Sequence, residues 1–134
     1  MGKPKKRVKP LLCDTNIAVE MLRNRAWALG FLTEYGSENL AFSLISHAEV
    51  LLGRSKQEHR TVKNFLRNFR TYDLDAGVSK VFRELIHTHH GHGSGWMPDA
   101  LIAATALHNG LDRYTLNRGD FEFIAGLRLH APAG

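Results

Sequence analysis

The sequence predicts an α/β domain on a central, mainly parallel sheet of about five strands. Short apolar runs alternate with longer stretches at helical spacing along the chain, the order that lays crossover helices over both faces of a sheet. The 134 residues, 43% of them hydrophobic, suffice for one core and fall short of two ordinary domains. No internal repeat interrupts the alternation.

Val8 to Cys13 reads as the first buried strand. Ile17, Met21 and Leu22 open a helical face that resumes, after a polar break, at Trp27, Phe31 and Tyr35. Leu40 to Ile45 is the second strand, and a helix follows from Ser46 to the Gly53 stop. Val62, Phe65, Leu66 and Phe69 mark another helix, and Thr71 to Leu74 a third strand. Val78, Val81, Phe82, Leu85 and Ile86 form one face of an amphipathic helix that gives way to a Gly- and His-rich loop closing at Trp96. In "MPDALIAATAL" almost no polar face is left, so the helix predicted from Pro98 to Asn109 is buried nearly all round; Pro98 suits its first position and Asn109-Gly110 its stop. Arg113 to Thr115 and Leu127 to His130 supply the last two strands.

Charge divides the chain into a basic, flexible arm at residues 1–9 and a single domain at 10–134. Lys3, Lys5, Lys6, Arg7 and Lys9 account for the whole net charge of +5. A second basic stretch holds Arg54, Lys56, Arg60, Lys63, Arg67 and Arg70, with Glu58 its one acid. Such patches suit nucleic acid, because neutralising phosphates releases counterions; a solvated helix face beside a solubilising arm is the competing explanation. The single cysteine, Cys13, excludes an intramolecular disulfide and reads as a buried strand residue. No apolar run is long enough to span a bilayer, and the charged amino terminus lacks the apolar segment of a secretory signal. A cytoplasmic protein is therefore expected, with no membrane partner.

In open parallel sheets ligands bind outside the carboxyl ends of the strands, which gives weight to acids placed there. Asp14 follows the first strand, Glu49 lies in the first turn of the helix after the second, Asp99 stands in the first turn of its helix, and Asp120 follows the fourth strand by a short turn. Each has a structural alternative: Asp14 as a turn acid, "SHAE" as a capping box in which Glu49 reaches back to Ser46, Asp99 as a helix-start residue, and Asp120 as a turn cap. Gathered on one rim, the four repel one another unless cations neutralise them, and oxygen-only ligands suit Mg²⁺ or Mn²⁺.

The segments "LLCDTNIAVEML", "LISHAEVLLG", "PDALIAATALHNGL" and "YTLNRGDFEFIAGLRL" resemble, in order and spacing, PIN-domain ribonucleases of the VapC toxin type. The resemblance runs from Pro10 to Ala131 and leaves out the arm. It implies a three-layer α/β/α sandwich and an acidic metal pocket of Asp14, Glu49, Asp99 and Asp120, with Asn16 and Thr115 orienting groups within it. Asn117 stands where distant relatives can carry another acid, while Asp112 is expected at the opposite rim. The implied reaction is Mg²⁺- or Mn²⁺-dependent hydrolysis of RNA phosphodiesters by activated water, leaving a 5′-phosphate and a 3′-hydroxyl. Lys5, Lys6, Arg7, Arg54, Lys56 and Arg60 are the candidate RNA contacts. A homodimer and an inhibiting antitoxin are the implied partners.

Two other functions compete with this one. A non-catalytic nucleic-acid-binding PIN module would not need all four acids, and a receiver-like signalling domain would need a Lys that "YTLNRGDF" does not offer. In "HTHHGHG", His87, His89, His90 and His92 form a loop beside the acidic helix, where substrate contact is favoured over a dedicated metal site.

Overall fold

The computed structural model describes residues 5–131. Strand β1, Leu11–Cys13, leads into helices α1, Thr15–Leu22, and α2, Ala26–Tyr35. Strand β2, Leu40–Ser43, is followed by α3, Leu44–Leu52, and α4, His59–Leu66; β3, Arg70–Tyr72, then leads into α5, Ala76–Thr88. Two short 3₁₀ turns, His90–His92 and Ser94–Trp96, deliver the chain to α6, Met97–Asn109. Strands β4, Arg113–Tyr114, and β5, Leu129–His130, complete the fold.

All five strands are parallel, in the order β3-β2-β1-β4-β5. The fully buried β1 lies in the centre, pairing Leu11 with Leu40 on one side and Cys13 with Tyr114 on the other. Strand alternation sorts the core into two faces. Leu11, Cys13, Leu40, Phe42 and Tyr114 point to the face covered by α1, α2 and α4, where Ile17, Phe31, Val62 and Leu66 meet them. Leu12 and Ala41 point to the opposite face and meet Ile102 and Ala106 of α6. The small alanines of α6 let it lie close to the sheet, and α5 packs against it through Val78 and Leu85. This is the three-layer arrangement expected.

α6 keeps its predicted boundaries to within a residue, with Pro98 in its first turn and Gly110 in the left-handed conformation (φ 65°) at its end. Several other boundaries need correction. Val8 is fully exposed and β1 begins only at Leu11, because Val8 stands alone between Arg7 and Lys9 and offers no apolar run. The second strand ends at Ser43 rather than Ile45, since the Ser43 hydroxyl accepts from the Ile45 N–H and turns the chain into α3 two residues early. Ser43 is thus the cap, and Ser46 lies inside the helix. The last strand begins at Leu129, after a turn that uses Gly126 at φ 81°.

The stretch expected as a flexible arm is tied down over residues 5–9. The buried Asn39 side chain accepts from the Arg7 N–H and donates to the carbonyls of Lys5 and Tyr35, while Lys9 Nζ donates to the Asn109 carbonyl. Lys3 lies outside the described residues.

Candidate active site

The strand order reverses direction at β1, whose neighbours β2 and β4 begin the two halves of the sheet. A crevice outside the strand ends is expected at that point. Asp14 occupies it, its backbone N–H bonded to the Tyr114 carbonyl at 2.9 Å. Although it is the N-cap of α1, its side chain makes no capping bond. Instead the carboxylate accepts from Nε of Arg113, a residue with no exposed surface.

Arg113 alternates with Tyr114 along β4, so its side chain lies on the α6 face of the sheet. There Nη1 donates to the Asp99 carbonyl at 3.2 Å and Nη2 lies 3.4 Å from the Asp99 carboxylate. The Phe121 ring packs against the guanidinium, 3.8 Å from its carbon to the ring centroid. Asp99, like Asp14, makes no cap of its helix. One buried cation therefore clasps two of the predicted acids.

Glu49 does not reach back to Ser46 in a capping box. Its Oε1 accepts from the Thr15 hydroxyl at 2.7 Å, and Thr15 is also 2.9 Å from the Ser46 hydroxyl. The start of α3 gives the physical reason: with Ser43 as the cap, Ser46 is the third helical residue and Glu49 lies a further three residues into the helix, so the two do not hold the cap and third-residue positions that a capping box needs. Thr15 thus fixes Glu49 beside Asp14.

Asp120 stands exposed at the end of a 3₁₀ turn, Arg118–Asp120, next to the Phe121 that packs on Arg113. It makes no bond to the three other acids, and its tie to them is the neighbouring Phe121 on Arg113. Asn16 is exposed in the first turn of α1. Thr115 is fully buried and its hydroxyl accepts from the Asn117 N–H at 3.0 Å, so it shapes the turn that carries Asp120. Asn117 itself is exposed. Asp112 lies before β4, bonded to Arg128 and to His130 at 2.7 Å, away from this cluster as expected.

Burial raises the half-buried Asp99 carboxyl above its ordinary pKa; Arg113 opposes this, and the charges of Asp14 and Glu49 reinforce it. Neighbouring Cys13 is deeply buried, and that burial, with Asp14 beside it, pushes its thiol far above the range where a thiolate exists at neutral pH. It is no nucleophile. Among the described residues no three His, Cys, Asp or Glu side chains form a ready metal cage. The donor set nevertheless fits a hard divalent ion in kind and in charge: three carboxylates against one guanidinium leave two negative charges.

The basic residues separate into free and committed ones. Lys56, Arg60, Lys63 and Arg67 are exposed around α4, whereas Arg54 pairs with Glu58 at 3.3 Å. Sequence reasoning missed Arg113 altogether. The available signal was an Arg inside an apolar strand that leads to an acidic rim.

A family model described as PIN domain matches residues 11–127. No curated protein matches the chain. Among solved structures, a toxin-antitoxin complex from Klebsiella pneumoniae is similar at 28% identity, over 87% of this chain and 94% of that one, with a TM-score of 0.73. FitAcB from Neisseria gonorrhoeae is similar at 26% identity over 89% and 95% of the two chains, TM-score 0.69. VapBC2 from Rickettsia felis, bound to a DNA fragment from its promoter, shares the fold at 23% identity over 90% and 97%, TM-score 0.76.

Proposed function

The chain belongs to the PIN-domain family, and from that premise we propose that it is the nuclease toxin of a toxin-antitoxin pair, hydrolysing RNA with the help of a divalent cation. The observation that carries this reading is the convergence of Asp14, Glu49 and Asp99 at the sheet's switch point, with a net charge of two negatives after Arg113 is counted. The likeness to toxin-antitoxin complexes supports the toxin assignment and an antitoxin as partner. A homodimer and a cytoplasmic location belong to the same reading.

Asp14, Glu49 and Asp99 would hold the cation, Mg²⁺ or Mn²⁺, with Asp120 at the rim. When bound, that ion supplies polarisation of a phosphoryl oxygen and activation of water. The chain's own residues prepare the site. Thr15 orients Glu49 through its hydroxyl, Arg113 keeps Asp14 and Asp99 close despite their repulsion, and the Thr115 bond to the Asn117 N–H sets the turn that presents Asp120. No described helix is long and apolar enough to cross a membrane.

The test is cleavage of end-labelled RNA by the purified chain. Activity is expected with Mg²⁺ or Mn²⁺, lost in EDTA and restored by excess metal. RNA binding without cleavage under any divalent ion would leave a non-catalytic module in its place.

A further inference from the structure

Beside the acidic cluster lies an aromatic surface with no role in the sheet. The His92 ring stacks on Phe123 at 4.6 Å and 11°, His89 meets Phe123 edge-on at 4.8 Å, and Trp96 lies 5.1 Å from His92. Its front is open: His92 and Phe123 are exposed, while Trp96 behind them is buried. The indole Nε1 is buried without a partner among the described residues, a cost that packing alone does not explain. An open cleft of about 600 Å³ adjoins it, walled by Phe82, Ile86 and Trp96 and rimmed by Arg83.

The aromatic residues stand close to the acids along the chain. Trp96 stands three residues before Asp99, and Phe123 three residues after Asp120. Phe121, which packs on Arg113, shares one apolar cluster with Trp96. Side chains added at Gly91 or Gly95 would meet nothing within 4 Å, so the space in front of this loop is open.

We propose that His89, His92 and Phe123, backed by Trp96, form a stacking subsite for one unpaired base of single-stranded RNA flanking the phosphodiester at the acidic cluster. The inference rests on the nuclease reading and adds the residues that would hold a base of the substrate: unpaired bases expose the faces that aromatic rings stack on, whereas a duplex hides them. Arg83 at the rim complements the adjoining phosphate. Because every base has a π-face, the subsite selects strandedness rather than sequence.

The experiment compares steady-state cleavage of a single-stranded RNA by the parent, by His92→Ala/Phe123→Ala and by His92→Phe, in Mg²⁺, alongside affinity for a ribose-phosphate oligomer without bases. The double variant is expected to raise KM about tenfold with kcat held, since stacking is made alike in ground and transition states. His92→Phe restores the parent's KM, and the base-free oligomer binds all three equally. Both altered positions are exposed, so the unfolding midpoint of each variant should match the parent's. Parent-like KM in the double variant, with the parent active, overturns the subsite and leaves the nuclease standing. A parent inactive on RNA overturns both. Loss of a co-purified protein partner with KM unchanged would assign the surface to that partner instead.

Discussion

Arg113 donates its Nε–H to Asp14 in a contact from which water is excluded, so the acidic cluster is built around a cation of the chain's own. The same guanidinium also reaches Asp99 at the start of α6. A pocket of carboxylates usually resists assembly until an ion arrives. Here the fold can close first.

Arg113→Met should destabilise the metal-free protein by about 3–5 kcal/mol, because Asp14 is left buried without its partner. Mg²⁺ should recover part of that loss by supplying the missing charge. Urea unfolding of parent and variant, with and without Mg²⁺, measures both quantities. Equal stabilities in EDTA would mean that the clasp does not hold the site together.

Asp99→Asn should abolish cleavage while leaving the metal-free protein as stable as the parent or more so. The folded-state pKa of Asp99 is raised, chiefly by burial and further by Asp14 and Glu49. A raised carboxylate penalises folding at pH above its folded value, and the penalty is relieved as pH falls through that value. The variant's advantage should therefore be greatest at neutral pH and shrink on acidification through the carboxylate range. Unfolding midpoints from pH 7 down to pH 4 test the trend, and a constant gap would contradict it. Mg²⁺ should raise the parent's midpoint more than the variant's.

Neutralising Lys56, Arg60, Lys63 and Arg67 together should weaken RNA binding across sequences and flatten its salt dependence, by roughly 0.7 in log–log slope for each phosphate that no longer meets a cation. Neutralising Arg54 should do less, since Glu58 already engages it. Titrations at several salt concentrations give the slopes; unchanged values would leave α4 as a solubilising face.

Ser43→Ala should cost about 1 kcal/mol through loss of the cap on α3. Ser46→Ala leaves that cap intact and should instead perturb Thr15 and Glu49, lowering activity more than stability. Thermal unfolding and RNA cleavage on the same preparations separate the two.

What the sequence made legible follows from where its patterns were local. The apolar wrap of α6, with Pro98 and Gly110 at its ends, needed no knowledge of the rest of the chain. The order of strands and helices placed Asp14, Glu49 and Asp99 near strand ends; in the structure Asp14 and Asp99 share Arg113, and Glu49 holds the hydroxyl of Thr15, the residue after Asp14. Asp120 follows a turn shaped by buried Thr115 and stays exposed, without a bond to the other acids. Ser43 was hidden because "LAFSLI" reads as one apolar run, and the difference between strand and cap lies in a single backbone turn. Arg113, and the stacking of His92 on Phe123, depend on partners far off in sequence, which no local period records.

The place of β4 between β1 and β5 has a consequence for how the chain comes to life. Asp14, Glu49 and Asp99 all precede β4, yet the residue that clasps two of them is carried by β4 itself, held on one side by pairing of Leu12 with Arg113 and on the other by Arg113 with Leu129. During synthesis the acids emerge before their clasp, and pairings of such long sequence separation form late. A chain without β4 therefore holds these acids without their clasp. The acidic centre is complete only when β4 joins the sheet between β1 and β5, so refolding should order the sheet's β1–β2 half before the clasp forms.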